Sequence, residues 1–350
     1  MFVILMTKPT SDLLLQSRRE VETRKQRIAS FVLRQDFILF IIFIVMVGVF
    51  SAINPRFFSV AAAANILQDF SPVVLMATGQ TFVIASRGID LSVGSTLGLS
   101  GVTMALVIRT LNAAGLNPIA TIVLGLAAAL VVGGLIGLAN GLLISYVRIV
   151  PFVATLATMG AAAGTSLVIT GGVQIAGAPR AVILIGNVSY FGMLTAPVIV
   201  VLFILFIAWA SLSRTRFGRW TYAIGSNLFA ARAAGINVEK HLVKLYMLSG
   251  ILSALAGAFV YFRLGSGSPL SGRGGELSAI AAAVIGGISL QGGVGRLTGA
   301  TLGALITTAV LSGLILIGVA PNWQQIVVAM LIAVAVGVQG FGRGGRPGEQ

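Results

Sequence analysis

Long apolar runs, bounded by charge and nearly empty of it inside, constrain this chain more than any other feature. Suppose every run crosses a membrane and the N-terminus is cytoplasmic. Of the 23 Lys and Arg, only Arg56, Arg109, Arg180, Arg263 and Arg273 then fall outside. The other 18, from Lys8 through Arg87, Arg148, Arg214 and Lys244 to Arg346, fall inside. That asymmetry belongs to a polytopic membrane protein. A soluble protein of formal charge +14 would spread its basic residues over its whole surface, so nucleic-acid binding does not account for the charge.

A helix needs roughly 20 apolar residues to cross the hydrocarbon core, and fewer where it is broken or sheltered by protein. Runs near Asp36–Ile53, Pro72–Ser86, Gly94–Leu111, Pro118–Tyr146 and Pro151–Thr170 meet that need. So do runs near Leu194–Leu212, Lys244–Leu264, Leu277–Leu290, Leu297–Gly318 and Trp323–Gln339. The fold class is therefore all-α and polytopic, with about ten transmembrane helices and both termini cytoplasmic. The runs are too continuous for an outer-membrane barrel, whose strands alternate with period two. The chain divides into an N-terminal cytoplasmic segment (1–35), a transmembrane domain (36–340) containing a cytoplasmic loop (213–243), and a C-terminal tail (341–350). The mixed-charge stretch Ser17–Arg27 reads as a short amphipathic helix on the inner leaflet or as a tail, and not as a cleaved signal.

Glycine occurs 44 times, much of it inside the runs. Gly133, Gly134, Gly137 and Gly141 fall on nearby faces of one helix, and Gly286 and Gly287 lie in another. Small residues let membrane helices approach closely, so tight helix packing is the first reading.

Much chemistry is missing. There is no cysteine, and the one histidine, His241, sits in a charged stretch. That excludes a disulfide and a Cys-based metal site and makes a His-rich metal site and a buried Ser-His-Asp triad poor readings, and the sequence holds no G-x-x-x-x-G-K-[ST] phosphate loop. Transport is the class that remains.

Three polar stretches interrupt the apolar pattern. In residues 79–95, GQTFVIASRGIDLSVGS, Arg87 and Asp90 stand at i,i+3 and would pair if that segment were helical; an ionisable group at membrane depth is a functional hypothesis by default. In residues 285–296, the fragment Gly287-Ile288-Ser289-Leu290 is similar to Gly88-Ile89-Asp90-Leu91, and Gly299–Gly303 to Gly94–Gly98. Paired glycine-broken segments in corresponding halves point to a transporter built from repeats. In the cytoplasmic loop, Asn227–Ile236 reads as a short helix, capped by Asn227 and stopped by Gly235. Exposed Leu228 and Phe229 on it call for a partner surface or a membrane surface.

These stretches together resemble the membrane subunits of bacterial ATP-binding-cassette importers for ribose, xylose and related sugars or polyols. The matching motifs are residues 79–95, residues 139–159 (ANGLLISYVRIVPFVATLATM), residues 213–238 (SRTRFGRWTYAIGSNLFAARAAGINV) and residues 277–306 (LSAIAAAVIGGISLQGGVGRLTGATLGALI). They run in the family's order over about Phe57 to Gly340. The resemblance implies a non-catalytic permease subunit in the bacterial inner membrane, paired with a second permease copy. A periplasmic binding protein would deliver the sugar, and a separate ATPase subunit would bind ATP-Mg and hydrolyse it; the chain itself needs no cofactor and no metal. The helix of Asn227, Leu228, Phe229, Ala230, Ala231, Arg232, Gly235 and Ile236 is similar to the coupling helix that docks into the ATPase. Family members often carry a Glu near its start, where this chain has Leu228, which favours apolar docking over a charge pair.

A neutral sugar calls for hydroxyl and amide groups along its path. Candidates in and beside the spans are Gln80, Thr81, Asp90, Ser92, Asn140, Thr155, Thr158 and Ser166, each of which could equally be a helix-packing hydrogen bond. Two alternatives stay open at this level: a secondary transporter using Asp90 or Asp69 to couple an ion gradient, and a passive channel.

Overall fold

The computed structural model describes residues 35–343; the N-terminal mixed-charge stretch and the last residues of the tail lie outside them. Among the described residues, ten apolar helices carry the bundle, eight of them long enough to span a membrane and two shorter. In chain order they begin with α1 (Gln35–Ile53), α2 (Val60–Ala85), α3 (Val93–Ala113), α4 (Pro118–Ser145) and α5 (Pro151–Thr170). A short α6 (Arg180–Asn187) and a hairpin of β1 (Ser189–Tyr190) and β2 (Leu194–Thr195) precede α7 (Ala196–Arg214). Then come α8 (Arg216–Ser226), α9 (Leu228–Ala233), α10 (Val238–Leu264), α11 (Gly275–Ile285), α12 (Leu297–Leu316) and α13 (Gln324–Arg343). Arg87, Arg148, Arg214, Lys240 and Arg296 all lie in connections or helix ends at one end of the bundle, called here the basic end.

Helix α10 is the centre. Its most apolar stretch is 72% buried, against 6% for α1, which lies on the outside with its Phe50 ring against Gly313 of α12. The close approach of α4 to α10 depends on glycine at four-residue spacing, which puts Gly133, Gly137 and Gly141 on one face. A methyl on Gly137 would come within 2.7 Å of Met247 Cα, and one on Gly141 within 2.6 Å of Val243 Cα. Gly134 points elsewhere: its methyl would sit 3.7 Å from Ile251 Cγ1, an ordinary contact. Gly137→Leu should therefore part the two helices, at a cost of at least the ~1–3 kcal/mol of an overpacked core, whereas Gly134→Ala should be neutral. Monodispersity and thermal unfolding in detergent measure both; normal behaviour of Gly137→Leu would show that this crossing is not what holds α10 in place.

Two spans differ from the sequence expectation. Helix α2 starts at Val60, not near Pro72, because Ser59 caps it by accepting from the Ala62 amide at 3.1 Å, and because Pro72 is carried inside the helix. Asp69, which makes that stretch look too polar to be a span, is ion-paired with Arg263 of α10. The expected run Leu277–Leu290 is an 11-residue helix, α11, that ends before the glycine-rich turn. Its N-terminus meets the start of α3: a methyl on Gly98 would touch the Ser271 carbonyl, and one on Gly275 would lie 3.7 Å from Gly94 Cα. The chain after α10 thus turns back into the bundle before α11 begins. The expected cytoplasmic loop 213–243 is mostly helical. α7 runs on to Arg214, α8 follows after one residue, and α10 starts at Val238.

Candidate functional site

Helix α2 ends in a left-handed turn. The amide of Gly88 donates to Val83 O at 2.9 Å and that of Arg87 to Ile84 O at 2.9 Å, the Schellman pattern, with Arg87 at φ 68°. Helix α11 ends the same way, Ile288 donating to Ala283 O and Gly287, at φ 83°, to Val284 O. The two turns correspond through Arg87 and Gly287, one residue out of register with the fragment likeness seen in the sequence. After the turn, residues 88–90 are not helical, so the i,i+3 spacing of Arg87 and Asp90 does not bring them together. No ion pair joins them among the described residues. Arg87 instead donates from Nε to Gln291 O at 2.8 Å, across to the second glycine-rich turn.

Asp90 is buried and, among the described residues, held without a cation. Ser92 donates to Oδ1 from its amide at 3.0 Å and from its hydroxyl at 2.6 Å, and Ser249 Oγ of α10 donates to Oδ2 at 2.8 Å. Gln80 bridges to both backbone groups of Asp90, donating to its carbonyl and accepting from its amide. Asn140 Nδ2 donates to Ser92 Oγ at 2.9 Å, and Thr158 Oγ1 donates to Asn140 Oδ1 at 2.6 Å. Thr155 lies beside them, donating to Pro151 O at 2.9 Å with Ile89 O at 3.4 Å. Six of the eight predicted path residues thus meet in one network tying α2, α3, α4, α5 and α10. Ser249 is the member that sequence reasoning missed; a serine inside an apolar helix gives no signal until its partner is placed. The other two stand apart. Thr81 donates to its own helix at Ala77 O, and Ser166 is buried in α5.

The short helix in the 213–243 region forms over Leu228–Ala233, inside the expected Asn227–Ile236, and Leu228, expected in the open, is partly buried against Ile224, Ala231 and Val238. Asn227 accepts from the Ala230 amide at 3.0 Å, and Gly235 takes φ 80°. Its faces are sharply divided. Ala231 packs with Ile224 and Val238, while Phe229 is 80% exposed, with Ala230 and Arg232 beside it in the open. Arg232 reaches back to Glu239 at 2.5 Å. Behind it, α8 is tied to the bundle at several points. Its Thr221 hydroxyl lies 2.9 Å from His241 Nε2, and the Phe217 ring stands 4.7 Å from the His241 ring. Tyr222 donates to Gly295 O at 2.8 Å, and the Gly293 amide donates to Ala85 O at 2.9 Å, with Gly225 pressed on that same carbonyl. The exposed helix is therefore joined through one layer to both glycine-rich turns.

A cavity of about 670 Å³ lies toward the other end, between α2, α11, α12 and α13, with Gly272–Gly275 on its wall. None of the eight predicted path residues lines it.

Residues 62–336 match the family described as branched-chain amino acid transport system / permease component. The chain is 40% identical over 299 residues to the ribose import permease protein RbsC of Escherichia coli (strain K12), covering 84% of this chain and 90% of that protein. It is 40% identical over 319 residues to RbsC of Bacillus subtilis (strain 168), covering 91% and 96%. It is 36% identical over 300 residues to the D-allose transport system permease protein AlsC of Escherichia coli (strain K12), covering 85% and 89%. No solved structure matches the chain. The ion-coupled alternative built on Asp90 finds no support in these relatives. A multi-pass helical bundle with one exposed helix braced at its basic end, matched along nearly its whole length by import permeases, places the chain in the permease family of ATP-binding-cassette importers.

Proposed function

We propose that this protein is the membrane-spanning subunit of an importer for a small neutral sugar of the ribose type. It works as a homodimer in the bacterial inner membrane, with its basic end and both termini in the cytoplasm. A periplasmic binding protein delivers the sugar, and an ATPase subunit hydrolyses ATP and docks on α9. The observation that carries the reading is the likeness to ribose import permeases over 84–91% of the chain. The D-allose permease, at 36% identity, supports sugars as the class. An exposed Phe229 on a helix joined through α8 to the glycine-rich turns supports the site of ATPase docking. In this scheme Gln80, Asp90, Ser92, Asn140, Thr155 and Thr158 hold together the elements flanking the path, so opening it toward the cytoplasm rearranges their network.

Uptake in proteoliposomes tests the function. With ATP enclosed and the binding protein outside, radiolabelled D-ribose should accumulate. Accumulation driven by a pH gradient without ATP would overturn the reading. Orientation is tested with an impermeant thiol reagent, for which the cysteine-free chain is convenient. Phe191→Cys, at a site 92% exposed in the hairpin, should label in intact cells, and Lys240→Cys only after the membrane is opened. The reverse pattern would invert the topology. Ser271, which the apolar runs alone would place in an external loop, is a poor site for this test because it lies against Gly98 of α3.

A further inference from the structure

Resting on the reading of α9 as the place where the ATPase docks, we infer that this contact continues into the groove between α9 and the α4–α5 turn, where Arg148 receives a carboxylate of the ATPase subunit. Among the described residues three that are not glycine take a positive φ: Arg87, Arg148 and Phe191. The left-handed region is costly for a residue with a Cβ, and glycine is the ordinary choice at a helix end. At Arg87 the side chain explains the choice, because its Nε reaches Gln291 O. Arg148 closes α4 at φ 64°, with the Ile149 amide donating to Leu143 O at 3.0 Å. Its guanidinium forms no ion pair among the described residues. Glu239 is near enough to feel the Arg148 charge, but its carboxylate is bonded to Arg232. An exposed arginine held against its backbone preference, with no anion of its own, is placed for a partner outside the chain.

The turn sets Arg148 on the wall of a groove of about 420 Å³. Ile144, Ile149, Leu228 and Leu242 give that groove apolar surface, and its charged groups are Arg148, Arg232 and Glu239. Two arginines against one glutamate leave it net positive. It therefore fits a protein surface that offers an apolar side chain with a carboxylate beside it. Its position selects the ATPase. Phe229 and Arg232 stand at i,i+3 on α9 and share a face, and both are exposed. A subunit that covers Phe229 thus overlies the rim of the groove. Residues 1–34 of the chain are themselves net basic, so charge does not draw them in. An anionic lipid headgroup gains only about fivefold in affinity from each basic residue at a membrane surface, and one net charge holds it weakly. A carboxylate enclosed by a protein contact is screened far less.

Arg148→Asn and Arg148→Asp test the inference, since both side chains tolerate the left-handed turn. Each variant permease should unfold in detergent at or above the wild-type temperature. Affinity is then measured by titrating each with the ATPase subunit that co-purifies with wild type. Arg148→Asn should bind about tenfold more weakly, and Arg148→Asp about a hundredfold, because it sets carboxylate against carboxylate. Wild-type affinity in both variants would overturn the groove. In a second arm, Val150→Cys places a thiol on the groove wall, at a site 64% exposed. Its reaction with a maleimide should be at least tenfold slower in the assembled complex than in the permease alone. Without the ATPase, it should run equally fast in nanodiscs of phosphatidylglycerol and of phosphatidylcholine. No protection in the complex, or protection by phosphatidylglycerol alone, would overturn the assignment, the latter by giving the groove to lipid. Phe229→Asp in the same titration separates the two readings. Loss of binding there, with full binding by both Arg148 variants, would remove the groove and leave α9 as the docking site. A wild-type permease that binds no ATPase subunit would overturn the proposed function, and the groove with it.

Discussion

Phe229→Asp will abolish co-purification of the ATPase subunit and ATP-driven uptake, while the permease itself inserts and folds normally. The ring is 80% exposed at the start of a six-residue helix, where none of the described residues covers it. Covering such a side chain is worth ~1.5–3 kcal/mol, so Phe229→Ala should weaken docking roughly tenfold to hundredfold. An aspartate in the same contact adds the cost of a desolvated charge. The structure also sorts the neighbouring substitutions. Ala231 faces inward onto Ile224 and Val238, so Ala231→Arg would disturb the helix's own seat and cannot report on docking alone. Gly235 has no atom within 4 Å of where a side chain would begin, but its φ of 80° penalises any L-residue, by ~1–2 kcal/mol. Gly235→Asn, which tolerates that conformation, should dock well, whereas Gly235→Trp should not. The Arg232–Glu239 pair is exposed and worth little, so Arg232→Ala should be mild. If Phe229→Asp retains the ATPase at wild-type levels, α9 is not where the two subunits join.

The long spans were legible in the sequence because an apolar run has few ways to exist other than crossing lipid. The cap and stop of α9 were legible too, since Asn227 and Gly235 act through local backbone geometry. What escaped did so for physical reasons. Helix α8 is short and carries Arg216, Arg219 and Trp220 among its residues, so it reads as a polar loop; it is a helix because Thr221, Tyr222 and Gly225 each have a distant partner. The early start of α2 was hidden by Asp69, whose charge is neutralised by a residue 194 positions away. Arg87 and Asp90 looked like a pair because i,i+3 implies contact only within a helix, and the left-handed turn at Arg87 ends the helix between them. Of the path candidates, the side-chain types were readable but their assembly around Asp90 was not. The cavity was least readable of all. Its wall draws ordinary residues scattered from Asp69 to Val328, and no motif groups them before the helices are placed.

Removing the carboxylate at the centre of the network should be the most destabilising polar change in the chain. Asp90→Ala leaves the Ser92 amide, the Ser92 hydroxyl and the Ser249 hydroxyl facing an empty buried site. Each buried donor left without its acceptor costs ~1–3 kcal/mol; even with partial relaxation, little folded protein should survive. Asp90→Asn keeps an oxygen for Ser92 and presents an amide that Ser249 can accept, so it should fold at a reduced melting temperature. The partners then decide what Asp90 does. If its role lies in the serine network, Ser249→Ala should cost much less in an Asp90→Asn background than in the wild type, the mark of two residues sharing one interaction. Arg87→Gln, by contrast, should add independently to Asp90→Asn, within ~0.5 kcal/mol, because Arg87 spends its guanidinium on the Gln291 carbonyl. Thermal unfolding of the four variants and their doubles in detergent gives both couplings. Rescue of Asp90→Asn by Arg87→Gln would restore the ion pair that the turn geometry rules out. Equal cost of Ser249→Ala in both backgrounds would detach α10 from the network and leave Asp90 as a local cap on α3.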